Sequence, residues 1–203
     1  KIGTNSFSKC KNLTKIVVPN TVTSIGSSAF SGCTNLKDVS LSESIDKIEE
    51  NLFEKCTSLV EINIPQKVTV IGSNAFSSTG LKKVTIPDSV TKISDGCYAN
   101  CVFLSEVELT ESVSSIGKRA FMGCQKLTHF AIPSSVTAIE DGLFESCVKL
   151  VDISIPSTIT RIGGASFKDC ISLEKISIPP SVSTIGTGCF RGCTKLPEFD
   201  LPT

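Results

Sequence analysis

Apolar residues recur along the chain with two superposed periods. The short one is two: in Leu150 to Ile155 and Leu173 to Ile178, Leu-x-x-Ile-x-Ile alternates with polar positions. That alternation predicts a half-buried strand, with Ile153 and Ile155 inside and Asp152 and Ser154 outside. The long period is 23. Aromatic residues stand at Phe7, Phe30, Phe53, Phe76, Tyr98, Phe121, Phe144, Phe167 and Phe190, with one gap of 22 among gaps of 23. Leucines follow the same rhythm from Leu13 through Leu36, Leu59, Leu81, Leu104, Leu127, Leu150 and Leu173 to Leu196. A fixed period of this kind is the signature of a solenoid, whose units bury their apolar edges only by stacking on one another.

Each unit reads as two short strands and a turn. A proline commonly ends the first strand, as at Pro19, Pro65, Pro87 and Pro133. A second apolar stretch, Val-Thr-x-Ile, follows at Val90 to Ile93 and Val136 to Ile139, often ahead of a glycine such as Gly72 or Gly117. The Ala-Phe-x-x-Cys segment is too short for a regular helix and predicts a turn, or one 3₁₀-like turn, on the outer edge. The stacked copies predict parallel ladders about 4.8 Å apart, so eight to nine units span about 40 Å. The predicted fold class is therefore a solenoid of short parallel strands and turns with few or no regular helices. It forms a single unit over residues 1–203, without a linker. The 22-residue gap lies between Phe76 and Leu81, where one turn residue is missing; Gly80 is expected to relieve the tighter backbone there.

The recurring text, "LVEINIPQKVTVIGSNAFSS", "LTHFAIPSSVTAIEDGLFESC" and "LEKISIPPSVSTIGTGCFRGC", resembles the BspA-like, or Treponema-type, leucine-rich repeats over essentially all 203 residues. The resemblance implies a leucine-rich repeat fold with its first-strand sheet on the concave face. It also implies a cell-surface or secreted location and a role in adhesion to host cells or extracellular-matrix proteins such as fibronectin or fibrinogen. It transfers no catalytic residue. The start at Lys1 inside a unit and the end just past Leu201-Pro202 suggest a fragment of a longer array, a processed chain with irregular caps being the alternative.

Composition narrows the partners. Lys plus Arg and Asp plus Glu both number 20, for zero net charge, so bulk charge makes no case for nucleic acid or an anionic membrane. No apolar run approaches the 18 or so residues of a spanning helix, and no direct membrane insertion is expected. No glycine-rich phosphate loop precedes a helix. No cofactor or metal site is expected.

The outward positions of the first strand form two columns. One reads Lys15, Asp38, Glu61, Lys83, Glu106, His129, Asp152, Lys175 and Glu198. The other runs from Val17 and Ser40 through Asn63, Thr85, Glu108, Ala131, Ser154 and Ser177 to Asp200. These columns are the candidate binding face for a protein or glycan ligand, with acidic patches at Glu106/Glu108 and Glu198/Asp200. A solubilising surface of offsetting charges is the plainer reading. His129, the only histidine, sits between Glu106 and Asp152, which would allow a Glu-His-Asp cluster. No nucleophile or cleft accompanies it, so the chain does not read as an enzyme. A structural spacer displaying other domains remains the alternative to a binding module, with an enzyme or enzyme regulator ranked behind both.

Ten cysteines complete the pattern. Eight hold the repeat position, from Cys10 to Cys193, and Cys97 and Cys189 are extra. Regular spacing predicts a buried column of free thiols. The Cys97/Cys101 and Cys189/Cys193 pairs could alternatively bridge if their geometry allows. Asn12-Leu13-Thr14 matches the N-glycosylation pattern, one that three residues meet readily by chance.

Overall fold

The computed structural model describes residues 1–197. Glu198, Asp200 and the Leu201-Pro202 terminus lie outside the described residues. The chain winds as a stack of equivalent turns, and no helix occurs among the described residues. Two series of short parallel strands mark two sides of each turn. The first side carries β1 (Lys15–Val17), β2 (Asp38–Ser40), β5 (Lys83–Thr85), β7 (Glu106–Glu108), β9 (His129–Ala131), β11 (Asp152–Ser154) and β13 (Lys175–Ile176). The second carries β3 (Lys47–Ile48), β4 (Val70–Ile71), β6 (Lys92–Ile93), β8 (Ser115–Ile116), β10 (Ala138–Ile139), β12 (Arg161–Ile162) and β14 (Thr184–Ile185). Pairing is parallel and in repeat register, as in Lys83 opposite Glu106 and Ile71 opposite Ile93.

The aromatic segment is more than an outer turn. It forms a third hydrogen-bonded side: the N–H of each repeat aromatic from Phe7 to Phe167 donates to the next unit, as from Phe7 to the Ala29 carbonyl (2.8 Å) and from Phe121 to that of Leu143 (3.1 Å). The residues two before and two after each aromatic adopt a left-handed backbone, as at Arg119 (φ 55°), Ala165 (φ 53°), Asn100 (φ 59°) and Gly123 (φ 72°). That conformation turns alternate N–H groups toward the neighbouring unit, at a cost for residues such as Ala165 and Arg119.

The interior is made of columns. Phe30, Phe53, Phe76, Tyr98, Phe121, Phe144 and Phe167 are fully buried beside the leucines from Leu36 to Leu173. The repeat aromatics stack nearly parallel, with most ring centroids 5.4–5.7 Å apart. The exception is Phe121–Phe144 at 6.1 Å. There Phe130 takes an inward strand position held by Ile or Val in the other units, and its ring meets both at a steep angle, 4.9 and 4.8 Å away. An edge-on aromatic wedged between two stacked ones spreads the stack while keeping favourable quadrupole geometry.

The cysteines form a second kind of ladder. All ten are free thiols, and neither Cys97/Cys101 nor Cys189/Cys193 is bridged. Seven repeat thiols donate to the carbonyl of the preceding unit's aromatic. Examples are Cys56 to Phe30 (3.1 Å), Cys147 to Phe121 (3.1 Å) and Cys193 to Phe167 (3.0 Å). Burial pushes the thiols up, Cys56 and Cys147 to about 12 and Cys101 to about 11. Reactivity needs the thiolate, so at neutral pH these side chains are packing elements. Cys97 and Cys189 occupy the position just before the aromatic, elsewhere Ala, Leu or Ser, and act there as small core residues.

The shortened unit is explained by two substitutions. Thr79 stands where the cysteine would, bonding the Phe76 carbonyl (2.8 Å) and the Cys101 thiol (3.2 Å). Gly80 is needed for space rather than for a left-handed backbone: its φ is not positive, and a Cβ would run into the Thr57 carbonyl oxygen. Gly80→Ala is expected to lower the unfolding free energy by about 1–3 kcal/mol, read as a shift of the urea midpoint. An unchanged midpoint would show that the loop yields freely.

Tyr98 is the one repeat aromatic that is not Phe. Its hydroxyl is buried with no hydrogen-bond partner of good geometry, beside the weakly bonding Cys97 thiol. An unsatisfied buried hydroxyl costs about 1–3 kcal/mol. Tyr98→Phe is therefore expected to raise the urea midpoint, and a lowered midpoint would mean that the hydroxyl is satisfied.

Candidate binding face

The first side of the solenoid projects the two predicted columns. Short strands put alternate residues outward: Lys83 and Thr85 are exposed while Val84 between them is buried. Of the predicted residues, Lys15, Asp38, Glu61, Lys83, Glu106, Glu108, His129 and Lys175 are exposed and Asp152 is half-buried. All nine therefore share one face, although Glu61 lies in a stretch without regular strand pairing.

Two grooves run over this face. The first, ≈ 580 Å³, is lined by Lys15, Lys37, Asp38, Glu61, Asn63 and Lys83 among others. The second, ≈ 920 Å³, has Val107, Phe130, Ile153 and Ile176 along its floor and Glu106, Glu108, His129, Asp152, Glu174 and Lys175 around it. Both volumes fall in the range of ordinary ligand clefts. The residues dividing them are tied together. The Lys83 ammonium reaches Glu106 (3.0 Å) and Glu108 (2.7 Å), and Thr85 donates to Glu108 (2.7 Å). The Lys83 hydrogen bond, followed by that from Thr85, holds the Glu108 carboxyl below the usual carboxylate range. The hydrogen bonds to Glu108 and then Glu106 raise Lys83 in turn.

The imagined Glu-His-Asp cluster is only half assembled. His129 Nδ1 lies 2.6 Å from Asp152, whereas Glu106 turns away to Lys83. In the second groove Lys195 also closes on Glu174 (2.9 Å). Apart from Lys175, the charges there are engaged in ion pairs, and no group of three or more metal-ligating side chains occurs among the described residues. In the first groove Lys15, Lys37, Asp38 and Glu61 form no ion pair within the described residues, so their charges remain open to a partner. The sequence columns placed these residues on one face but gave no sign of the division, because that depends on Lys83 reaching across to the next unit. Asn12 and Thr14 are both exposed.

The model of the BspA type leucine rich repeat region matches residues 1–105 and 91–203, in six copies. The chain belongs to this family. Among solved structures, it is similar to a leucine-rich repeat protein from Bacteroides ovatus, with 26% identity and a TM-score of 0.76, over 99% of this chain and 70% of that one. A leucine rich cell surface protein from Faecalibacterium prausnitzii matches at 31% identity and a TM-score of 0.64, over 97% of this chain and 62% of its own. The leucine rich repeat protein of T. pallidum matches at 30% identity and 0.56, over 97% and 71%. No curated protein matches. Membership in the BspA-type family accounts for the 23-residue unit and for the sheet that carries both grooves.

Proposed function

We propose that the chain is a non-catalytic protein-binding module of a cell-surface or secreted protein, docking partners through its first-strand face. The carrying observation is the pair of grooves over that face, one with open charges and one with an apolar floor. The surface location is supported by the family and by the F. prausnitzii neighbour, which is described as a cell surface protein, and the adhesive role by the family resemblance alone. A protein ligand fits better than a glycan, because the aromatic of this face, Phe130, is buried in the floor and offers no stacking platform.

The test is binding of the folded chain to immobilised fibronectin and fibrinogen. Two groove variants are compared with wild type, Lys15→Glu/Lys37→Glu and Glu106→Lys/Asp152→Lys. These side chains lie on the surface, and ion pairs there contribute little to stability, so the unfolding midpoint should barely move. Binding should fall about tenfold or more, as expected when charge complementarity is reversed. Undiminished binding by both variants would favour a spacer that merely displays other domains.

A further inference from the structure

One edge of the solenoid changes character halfway along. The edge lies at the turn between each repeat cysteine and the following leucine. In the first four units the two residues at its tip are polar or glycine: Lys11-Asn12, Thr34-Asn35, Thr57-Ser58 and, in the shortened unit, Gly80 alone. From the fifth to the eighth unit the same positions read Val102-Phe103, Gln125-Lys126, Val148-Lys149 and Ile171-Ser172, before the ninth returns to polar Thr194-Lys195. Phe103 is 54% exposed and Ile171 46%, two of the four large apolar side chains exposed among the described residues. Val102 and Val148 are half-buried, and Lys126 and Lys149 are exposed. Neither lysine forms an ion pair among the described residues, and no carboxylate occupies these tip positions. The nearby Glu145 and Glu174 are engaged by Lys168 (2.7 Å) and Lys195 (2.9 Å).

We propose that this edge, Val102, Phe103, Val148 and Ile171 with Lys126 and Lys149 between them, docks the solenoid on an anionic lipid surface. Interleaved apolar and basic side chains suit the boundary between headgroups and acyl chains. The apolar tips enter that boundary while the ammonium groups meet lipid phosphates or carboxylates. The tips follow the unit spacing in a row, and neither groove extends onto them, so the edge fits a planar partner better than a protruding protein segment. The contact is peripheral and leaves the chain outside the bilayer. Zero net charge does not oppose it, because the relevant charge is local. This surface is separate from the protein-binding face and does not depend on it.

Co-sedimentation of the full chain with vesicles tests the proposal, using phosphatidylcholine alone or with about 30% phosphatidylserine. Binding is expected only to the mixed vesicles and should weaken with added salt. Lys126→Gln/Lys149→Gln should reduce it about tenfold or more. Phe103→Ser/Ile171→Ser should reduce it strongly at unchanged thermal midpoint. Lys15→Gln/Lys37→Gln, the same change of charge on the other face, should bind as wild type does. Absence of binding, equal binding to neutral vesicles, or equal loss with the Lys15/Lys37 pair would overturn the proposal. So would a dimer in solution that Phe103→Ser/Ile171→Ser dissociates, which would put a second copy of the chain on this edge.

Discussion

Replacing Phe121 with Ala is expected to lower the unfolding free energy by about 3–5 kcal/mol. The ring is fully buried and contacts three others: Tyr98 at 5.5 Å, Phe144 at 6.1 Å and the tilted Phe130 at 4.9 Å. Truncation removes the burial of the ring and leaves a cavity that a solenoid can fill only by shifting whole units. The unit carrying Phe121 is held to the preceding unit on all three sides by hydrogen bonds, and to the following one through the aromatic segment, so collapse should be incomplete. The ring also lies in the middle of the stack, where a break separates the units on either side. Urea unfolding followed by circular dichroism checks this. A change within about 0.5 kcal/mol would put the ring outside the core. A lowered slope with two transitions would show that the array splits into halves, as nearest-neighbour stacking permits.

Raising the pH from 7 to 10 is expected to destabilise the fold through its thiol column. Burial raises Cys56 and Cys147 to about 12 and Cys101 to about 11, whereas an unfolded thiol ionises near 8.5. For an acid whose folded value is raised, the unfolded chain binds fewer protons between the two values, so stability falls as pH rises. The contribution is fully present below about 8.5 and is lost progressively up to about 11–12. At pH 10 each of these thiols costs about 2 kcal/mol, and the three together reach the scale of a small domain's whole stability. The urea midpoint should be steady from pH 6 to 8 and fall steeply above it. Cys147→Ala should fall less steeply, by about 2 kcal/mol at pH 10. Equal slopes for the two chains would mean that the thiols ionise freely in the folded state.

The repeat made most of the fold legible. Phe, Leu and Cys columns at 23-residue spacing specify both the stacking and what lies inside, and the structure buries them accordingly except at the ends, where Cys10 is exposed and Phe7, Leu13, Phe190, Cys193 and Leu196 are partly buried. The third hydrogen-bonded side was hidden because its signal is conformational. Asn and Gly at some of the left-handed positions hint at it, but Arg119, Ala165 and Lys55 occupy equivalent positions without local preference for that backbone. Only the bonds to neighbouring units hold them there. Phe130 reads as an ordinary strand residue until its contacts with Phe121 and Phe144 are known. The face itself followed from period-two alternation, which fixes direction. Its partition into two grooves did not, because ion pairs such as Lys83–Glu108 join units whose side-chain reach no spacing encodes. The Gly80 case is similar: the missing residue is visible in the sequence, whereas the Thr57 carbonyl that excludes a side chain is not.

Lysines mark the separate faces of this solenoid, so their reactivity can locate a bound partner. Lys15, Lys37, Lys83 and Lys175 line the grooves, Lys47 and Lys92 belong to the second ladder, and Lys126 and Lys149 stand on the turn edge. Acetylation of the chain, free and saturated with a bound matrix protein, followed by mass spectrometry of each lysine, reads all three faces in one experiment. The first-strand reading predicts protection of the groove lysines, with Lys47 and Lys92 reacting as in the free chain. Protection of Lys47 and Lys92, with the groove lysines unchanged, would contradict it.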